Sequence, residues 1–295
     1  MPLKYALCPD GDHVEVEACL QRCWRTEGRC LTLPTLHAVL HDRLWTGRPS
    51  TTMLLNGTRL SYLKLTSDYT IDPMDRAYAL LGTRHHGRLE AVARKLNVLS
   101  EEKLGAEVSG IFDLLEPDET TEGEAYILTD YKTWGSFKVA LALGLVESKV
   151  PDPSGEVYKK SGKWGKAGDT KIVSVWTPNP ERADLFNEEM QLNNYRILVE
   201  ECGFRVSRMQ LQVTVRDGDT FIATNRGVDR KIYSIPLQRL DDEVVKGYFN
   251  IKRYTLLEAL ETRTLPPPCS DYERWEGRRC RGNCDVAEFC SEGGK

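Results

Sequence analysis

The sequence contains no run of 18 or more apolar residues, so nothing in it reads as a membrane-spanning helix. Its first residues, MPLKYALCPDGD, lack an apolar core of signal-peptide length, which points to a cytoplasmic protein. A basic balance is missing too. Lys and Arg number 40 against 44 Asp and Glu, giving a net charge of −4, so any polyanion site must be a local basic patch on an acidic body. There is no internal repeat and no low-complexity tract. What remains, with 40% apolar and 28% charged residues over 295 positions, is a soluble globular chain long enough for one elaborated domain or two.

Nine cysteines in a chain read as intracellular argue for metal ligands rather than disulfides. Cys8, Cys19, Cys23 and Cys30 fall in the first thirty residues, and Cys269, Cys280, Cys284 and Cys290 in the last twenty-seven. Each group has the four thiolates that a tetrahedral site needs. Cys202, alone near the end of a helical pattern, reads as a small buried hydrophobe. Residues 1–33 show little periodicity and suit a loop-rich module held by a structural zinc ion, with Cys19 and Cys23 one helical turn apart. Pro34 to Trp45 predicts a short helix on which His37 and His41 are four apart, a zinc pair or two solvated histidines.

The middle of the chain carries the chemistry. A helix is predicted from Asp75 towards Val98, with His86 and Glu90 on one face. Strands are predicted at Glu107 to Leu115 and Ala125 to Tyr131, joined by the acidic connection Glu116 to Gly123. Asp113 closes the first apolar run and Asp130-Tyr131-Lys132 the second. Strand periodicity puts Asp130 and Lys132 on one face and Tyr131 on the other. Two carboxylates and a lysine brought together would suit hydrolysis assisted by Mg²⁺ or Mn²⁺, whereas an isolated D-x-K is also what a solvated cross-strand ion pair looks like.

Lys138 to Val146 predicts a helix, and residues 147–170 a polar excursion. Lys159, Lys160, Lys163, Trp164 and Lys166 make that excursion the clearest candidate for DNA contact, with lysines for phosphates and rings for bases; a flexible solvated loop is the alternative. Beyond it come a strand at Lys171 to Trp176, a helix at Pro180 to Cys202, strands at Arg205 to Arg216 and Lys231 to Pro236, and a helix at Leu240 to Leu260. Pro266-Pro267-Pro268 ends regular structure. The order implies an α/β fold with a mixed sheet and irregular, metal-held ends.

Five segments in order resemble the RecB-type branch of the PD-(D/E)XK nucleases. RPSTTMLLNGTRLSYLK (Arg48 to Lys64) resembles that branch's opening helix, GTRHHGRLE (Gly82 to Glu90) its G-x-x-x-H-x-x-x-E helix and GIFD (Gly110 to Asp113) its G-x-x-D strand. DYKT (Asp130 to Thr133) resembles the D-x-K strand, and QLNNY (Gln191 to Tyr195) the Q-x-x-x-Y helix. The resemblance covers roughly residues 48–262. It implies a restriction-endonuclease-like core with a mixed central sheet flanked by helices. His86, Asp113, Asp130 and the backbone carbonyl of Tyr131 would hold the catalytic metal, and Lys132 would activate water. Gln191 and Tyr195 would position the scissile strand or support the metal site, and Glu90 would orient His86.

The tail RRCRGNCDVAEFC is similar to that of the iron–sulfur-containing CRISPR-associated exonucleases of this branch, in which one cysteine precedes the histidine helix and three lie at the C-terminus. Here three residues separate Cys280 from Cys284 where two are usual, and the upstream position near Gly57 and Thr58 has no cysteine. Cys269 could complete the set locally, or Cys30 from farther away. A 4Fe–4S cluster and a second zinc both stay open. The expected organisation is an N-terminal metal module (1–47), a nuclease core (48–265) with the basic insertion at 147–170, and a cluster-bearing tail (266–295). The expected activity is hydrolysis of phosphodiester bonds in single-stranded DNA or at duplex ends, exonuclease action being weighed against a structure-specific or spacer-processing endonuclease in a larger complex and a decayed binding scaffold. Protein partners would come from a CRISPR-adaptation or recombination complex, and no membrane is involved.

Overall fold

A computed structural model describes residues 3–42 and 44–293. The elements in order are β1 (Leu3–Leu7), β2 (His13–Glu15), α1 (Val16–Gln21), α2 (Leu33–Leu40), α3 (Thr51–Leu54), α4 (Thr58–Thr66), β3 (Tyr69–Ile71) and α5 (Ala77–Lys95). They continue with β4 (Glu102–Leu104), β5 (Gly110–Phe112), β6 (Leu114–Pro117), β7 (Tyr126–Trp134), α6 (Ser136–Ala142), β8 (Leu145–Pro151) and β9 (Ile172–Pro178). Then follow α7 (Phe186–Glu201), β10 (Val206–Val215), α8 (Phe221–Asn225), β11 (Ile232–Leu237) and α9 (Asp242–Thr262). The fold is mixed α/β, with sheets and flanking helices. Among the described residues no helix is long and apolar enough to cross a membrane.

Two compact units divide the chain. The first comprises Met1–Leu128, Glu189–Met209 and Gln238–Lys295; the second comprises Thr129–Glu188 and Gln210–Leu237. The expected segments 1–47 and 266–295 both belong to the first unit, together with much of 48–265. A four-stranded sheet has the order β11-β10-β7-β6.

The first unit holds a core in which Leu36, Val39 and Leu40 of α2, Leu60 and Leu63 of α4, and Phe249 and Leu256 of α9 are buried. The N-terminus contributes to it, contrary to the loop-rich expectation. β1 lies between β2 and β3, antiparallel to one and parallel to the other, and buries Leu3 and Ala6. Caps set the helix limits. Thr32 Oγ accepts from Thr35 N at the start of α2, and Asp241 accepts from the amides of Glu243 and Val244 at the start of α9. Helix α2 ends at Leu40 and His41 has extended backbone, so His37 and His41 do not share a helical face. Arg196 on α7 has no exposed surface, and its guanidinium pairs with Glu200 and with Asp242 at 2.6 Å.

In the second unit, the predicted polar excursion is a hairpin. β8 and β9 pair over seven residues each, from Leu145↔Pro178 to Pro151↔Ile172, and the predicted helix at Lys138 to Val146 stops at Ala142 to let β8 begin. The hairpin end is itself ordered: Val157 bridges Thr170, and Gly165 lies so close to the Tyr158 ring that a Cβ there would fall 2.4 Å from it. Lys159, Lys160, Lys163, Trp164 and Lys166 are all exposed at this end.

Candidate metal centre

In the first unit, His86, Glu101 and Asp113 bring one ligand atom each within 4.8 Å of one another. His86 projects from α5, its Nδ1 3.4 Å from Asp113 Oδ1 and 3.8 Å from Glu101 Oε1. Asp113 is the bend between β5 and β6, the point where the predicted strand Glu107 to Leu115 divides into two. Glu101 enters through strand register. β4 pairs antiparallel to β5 with Glu102 opposite Phe112, so the next step outward sets Glu101 beside Asp113. Glu101 N donates to Phe112 O at 3.0 Å, and the residue has a positive φ of 55°.

Burial pushes the Glu101 carboxyl above the ordinary carboxylate range, the nearby Asp113 charge adds to this, and His86 opposes it. His85, the neighbour of His86, is lowered by burial and by the second imidazole. An imidazole and two carboxylates, one of them only 9% exposed, form a donor set suited to a divalent cation such as Mn²⁺ or Mg²⁺. Glu90, expected to orient His86, is ion-paired with Arg94 one turn on, and the carboxylates beside His86 Nδ1 are Asp113 and Glu101. Glu101 was not among the sequence candidates. Its signal was the acid placed one residue before a short strand that pairs with the G-x-x-D strand.

Gln191 and Tyr195 belong to α7, where Gln191 Nε2 lies 3.1 Å from Tyr195 Oη. The Tyr195 ring explains Gly110. A Cβ at that glycine would lie 2.6 Å from the ring, so the strand leading to Asp113 can approach α7 only without a side chain.

In the second unit, Asp130 and Lys132 share a face of β7 as strand periodicity predicts, with Oδ2 and Nζ 2.6 Å apart and Asp130 2% exposed. Tyr131 between them is buried.

The eight expected thiol ligands all lie in the first unit. Cys8 follows β1, Cys19 is on α1, and Cys23 and Cys30 flank a loop. Arg25 ties this loop to Asp10 at 2.9 Å, and Arg29 ties it to the Cys19 carbonyl at 2.7 Å. Burial raises the Cys19 thiol, and the nearby Cys8, Cys30 and Cys23 raise it further. Cys269, Cys280, Cys284 and Cys290 line one cavity with Arg59, Leu60 and Arg279. No three cysteine sulfurs among the described residues lie within 4.8 Å of one another. Cys202, expected to be buried, is exposed.

No protein-family model matches this chain, and no curated protein does. Among solved structures it is similar to one described as "Crystal structure of SSO0001", at 15% identity and a TM-score of 0.41, over 93% of this chain and 95% of the other.

Proposed function

We propose that the chain is a divalent-metal-dependent nuclease of the RecB-type PD-(D/E)XK class, acting on single-stranded DNA or DNA ends. The observation that carries this reading is the His86, Glu101 and Asp113 group, whose atoms stand within 4.8 Å on the helix and strand where the resemblance expects a metal. A divalent cation supplies Lewis acidity and lowers the pKa of water when bound. His86, Glu101 and Asp113 would hold it, and the resemblance adds Asp130 and the Tyr131 carbonyl. The Lys132 ammonium, 2.6 Å from Asp130 Oδ2, would orient the attacking water or offset charge on the phosphate. Gln191 and Tyr195 would steady the strand. A structural zinc is proposed for Cys8, Cys19, Cys23 and Cys30, the four thiols that a tetrahedral site needs.

The test is cleavage of end-labelled single- and double-stranded DNA with Mn²⁺ or with chelator. Asp113→Asn, Asp130→Ala and Lys132→Ala are each expected to lower the rate by about 10³-fold or more with an unchanged far-UV spectrum. Wild-type rates in any of the three would remove the assignment.

One observation favours a second reading, a binding scaffold without chemistry: the exposed lysines and Trp164 at the end of the β8–β9 hairpin suit DNA contact alone. Replacing Lys159, Lys160, Lys163 and Lys166 with Ala is expected to weaken DNA binding and flatten its salt dependence, by up to about four phosphates' worth of slope. An unchanged slope would show that the hairpin end meets only solvent.

A further inference from the structure

The second unit carries a groove at the base of the β8–β9 hairpin whose residues belong to none of the ligand groups described above. Its volume is ≈ 420 Å³, and its large apolar walls are Phe137 of α6, Trp176 of β9, and Phe221 and Ile222 of α8. These walls are held from behind. Asp217 accepts from Ser136 N and from Ser136 Oγ, both at 2.6 Å, and so seats the start of α6 next to Phe137. Arg226 Nη1 donates to the same hydroxyl at 2.8 Å and sets its guanidinium 5.6 Å from the Phe137 ring centroid. Phe137 meets Trp176 edge to face, with centroids 5.9 Å apart. Helix α8 is capped by Thr220 and buries Ala223, which turns Phe221 and Ile222 outward, 79% and 57% exposed.

Aromatic rings left in water along a groove suit a flat apolar partner. Hydrogen-bonding side chains stand around them. Glu147, Ser174 and Asn225 line the same groove, and they match the edge of a base, a carboxylate accepting from an amino group and a carboxamide both donating and accepting. Charge narrows the partner further. Cross-strand neighbours share a face, so Trp176 with Glu147, Ser174 with Lys149 and Ile172 with Pro151 form one row running from the groove towards the hairpin's end. There Lys159, Lys160, Lys163 and Lys166 are exposed, with Lys163 Nζ 5.5 Å from the centroid of the exposed Trp164 ring. From Leu145 to Pro178 lysines outnumber carboxylates six to four, on a chain whose net charge is −4. Glu147 would repel a phosphate, so the groove suits the base and the lysines suit the backbone. A single nucleic-acid strand carries a π-face and a phosphate in every nucleotide, a combination that an apolar helix of a protein partner lacks.

We propose that this groove stacks unpaired bases of single-stranded DNA, with Phe221 and Trp176 supplying rings, Glu147 and Asn225 meeting base edges, and the hairpin lysines holding phosphates. The proposal rests on the reading of the second unit as DNA-binding and not on cleavage. Its test reads binding without added divalent metal. A chain with no nuclease activity can therefore satisfy it, and an active nuclease can fail it.

Fluorescein-labelled oligo(dT) and an abasic strand of the same length share their phosphates and differ in their bases. Anisotropy titration with the full-length protein is expected to show oligo(dT) bound about tenfold or more tighter than the abasic strand. Phe221→Ala and Trp176→Ala are each expected to weaken oligo(dT) binding by about tenfold, with the salt slope and the affinity for the abasic strand unchanged. Phe221→Leu keeps an apolar surface but loses the ring, and it is expected to bind as weakly as Phe221→Ala, whereas Phe221→Tyr is expected to bind as wild type. Monodisperse elution and an unchanged far-UV spectrum serve as the folding control for each. Wild-type protein that does not bind oligo(dT), or wild-type affinity in both alanine variants, would overturn the stacking site. So would a loss that is equal on the two strands, or a Phe221→Leu protein as tight as wild type. A wild-type dimer that Phe221→Ala dissolves would also overturn it, because the groove would then be filled by a second copy of the chain.

Discussion

Two of the places in the first unit where candidate ligand residues gather are built in opposite ways. The His86, Glu101 and Asp113 group draws on three segments: a helix, a residue before a short strand, and the bend between two strands. Each segment is held by its own backbone pairing, such as the β4–β5 ladder. The thiol group draws on one tail that follows three prolines and contains only one short helical turn, Ala287–Phe289, with Val286 as its one fully buried apolar side chain among the described residues. The oxygen and nitrogen site is therefore a frame that exists before an ion arrives. If the tail cysteines hold a metal as the resemblance implies, its binding would also be folding for that segment.

Removing each metal separates the two most sharply. Leaving Mn²⁺ out of the buffer, with no chelator added, is expected to abolish Mn²⁺-dependent cleavage while shifting the melting temperature by no more than a degree or two. Cys284→Ala is expected to lower it by roughly 5–10 °C, the consequence of a few kcal/mol in a chain of this size, and to open the tail to protease. Equal shifts in a thermal melt of the two samples would erase the distinction.

Glu101→Gln sharpens the comparison from the other side. It removes a ligand atom but also relieves repulsion with Asp113, which helps hold the Glu101 carboxyl above its usual range. Calorimetric titration with Mn²⁺ is expected to show affinity reduced by roughly tenfold or more, while the metal-free protein melts no lower than wild type. Because a raised carboxyl pKa lets protons compete with the metal at higher pH, the wild type should lose Mn²⁺ affinity on mild acidification and the variant should lose less. A variant that binds Mn²⁺ as tightly as wild type would remove Glu101 from the site.

What the sequence disclosed and what it hid follow the same division between local and distant cause. Periodicity of two put Asp130 and Lys132 on one face, and they are paired. Periodicity of 3.6 placed His86 on a helix, and it is there. Both are consequences of the nearest few residues. Glu101 depends on a strand register with Phe112, which no local pattern encodes. The N-terminal strand depends on parallel pairing between Leu3 and Tyr69, so residues with little periodicity of their own looked like loop. The strand Lys171 to Trp176 is found as β9, but its partner β8 lay hidden in the excursion because Glu147, Ser148 and Lys149 are exposed and polar, leaving that strand without an apolar alternation to announce it. The Cys269 sulfur that fills the place of a Gly57 side chain was equally out of reach, since a missing side chain shows in the sequence but not what fills its place.

A buried carboxylate of the opposite kind gives the smallest test. Asp118 accepts from Ser207 Oγ at 2.7 Å, Thr120 Oγ1 at 2.6 Å, Thr121 Oγ1 at 2.8 Å and the Arg208 guanidinium, so protein donors fill the oxygens that Asp113 would offer to an ion. The hydrogen bonds from Ser207 and Thr120, foremost among these, hold its carboxyl well below the usual range. A carboxyl whose folded pKa is depressed contributes stability above its unfolded value, about 3.9, and loses that contribution as pH falls towards the folded one. Asp118→Asn is therefore expected to lower the melting temperature by a few degrees at pH 7, to leave Mn²⁺ affinity unchanged, and to lose less stability than wild type below about pH 4. Parallel acid limbs for the two proteins in pH-dependent melts would show that Asp118 is not held as a structural carboxylate.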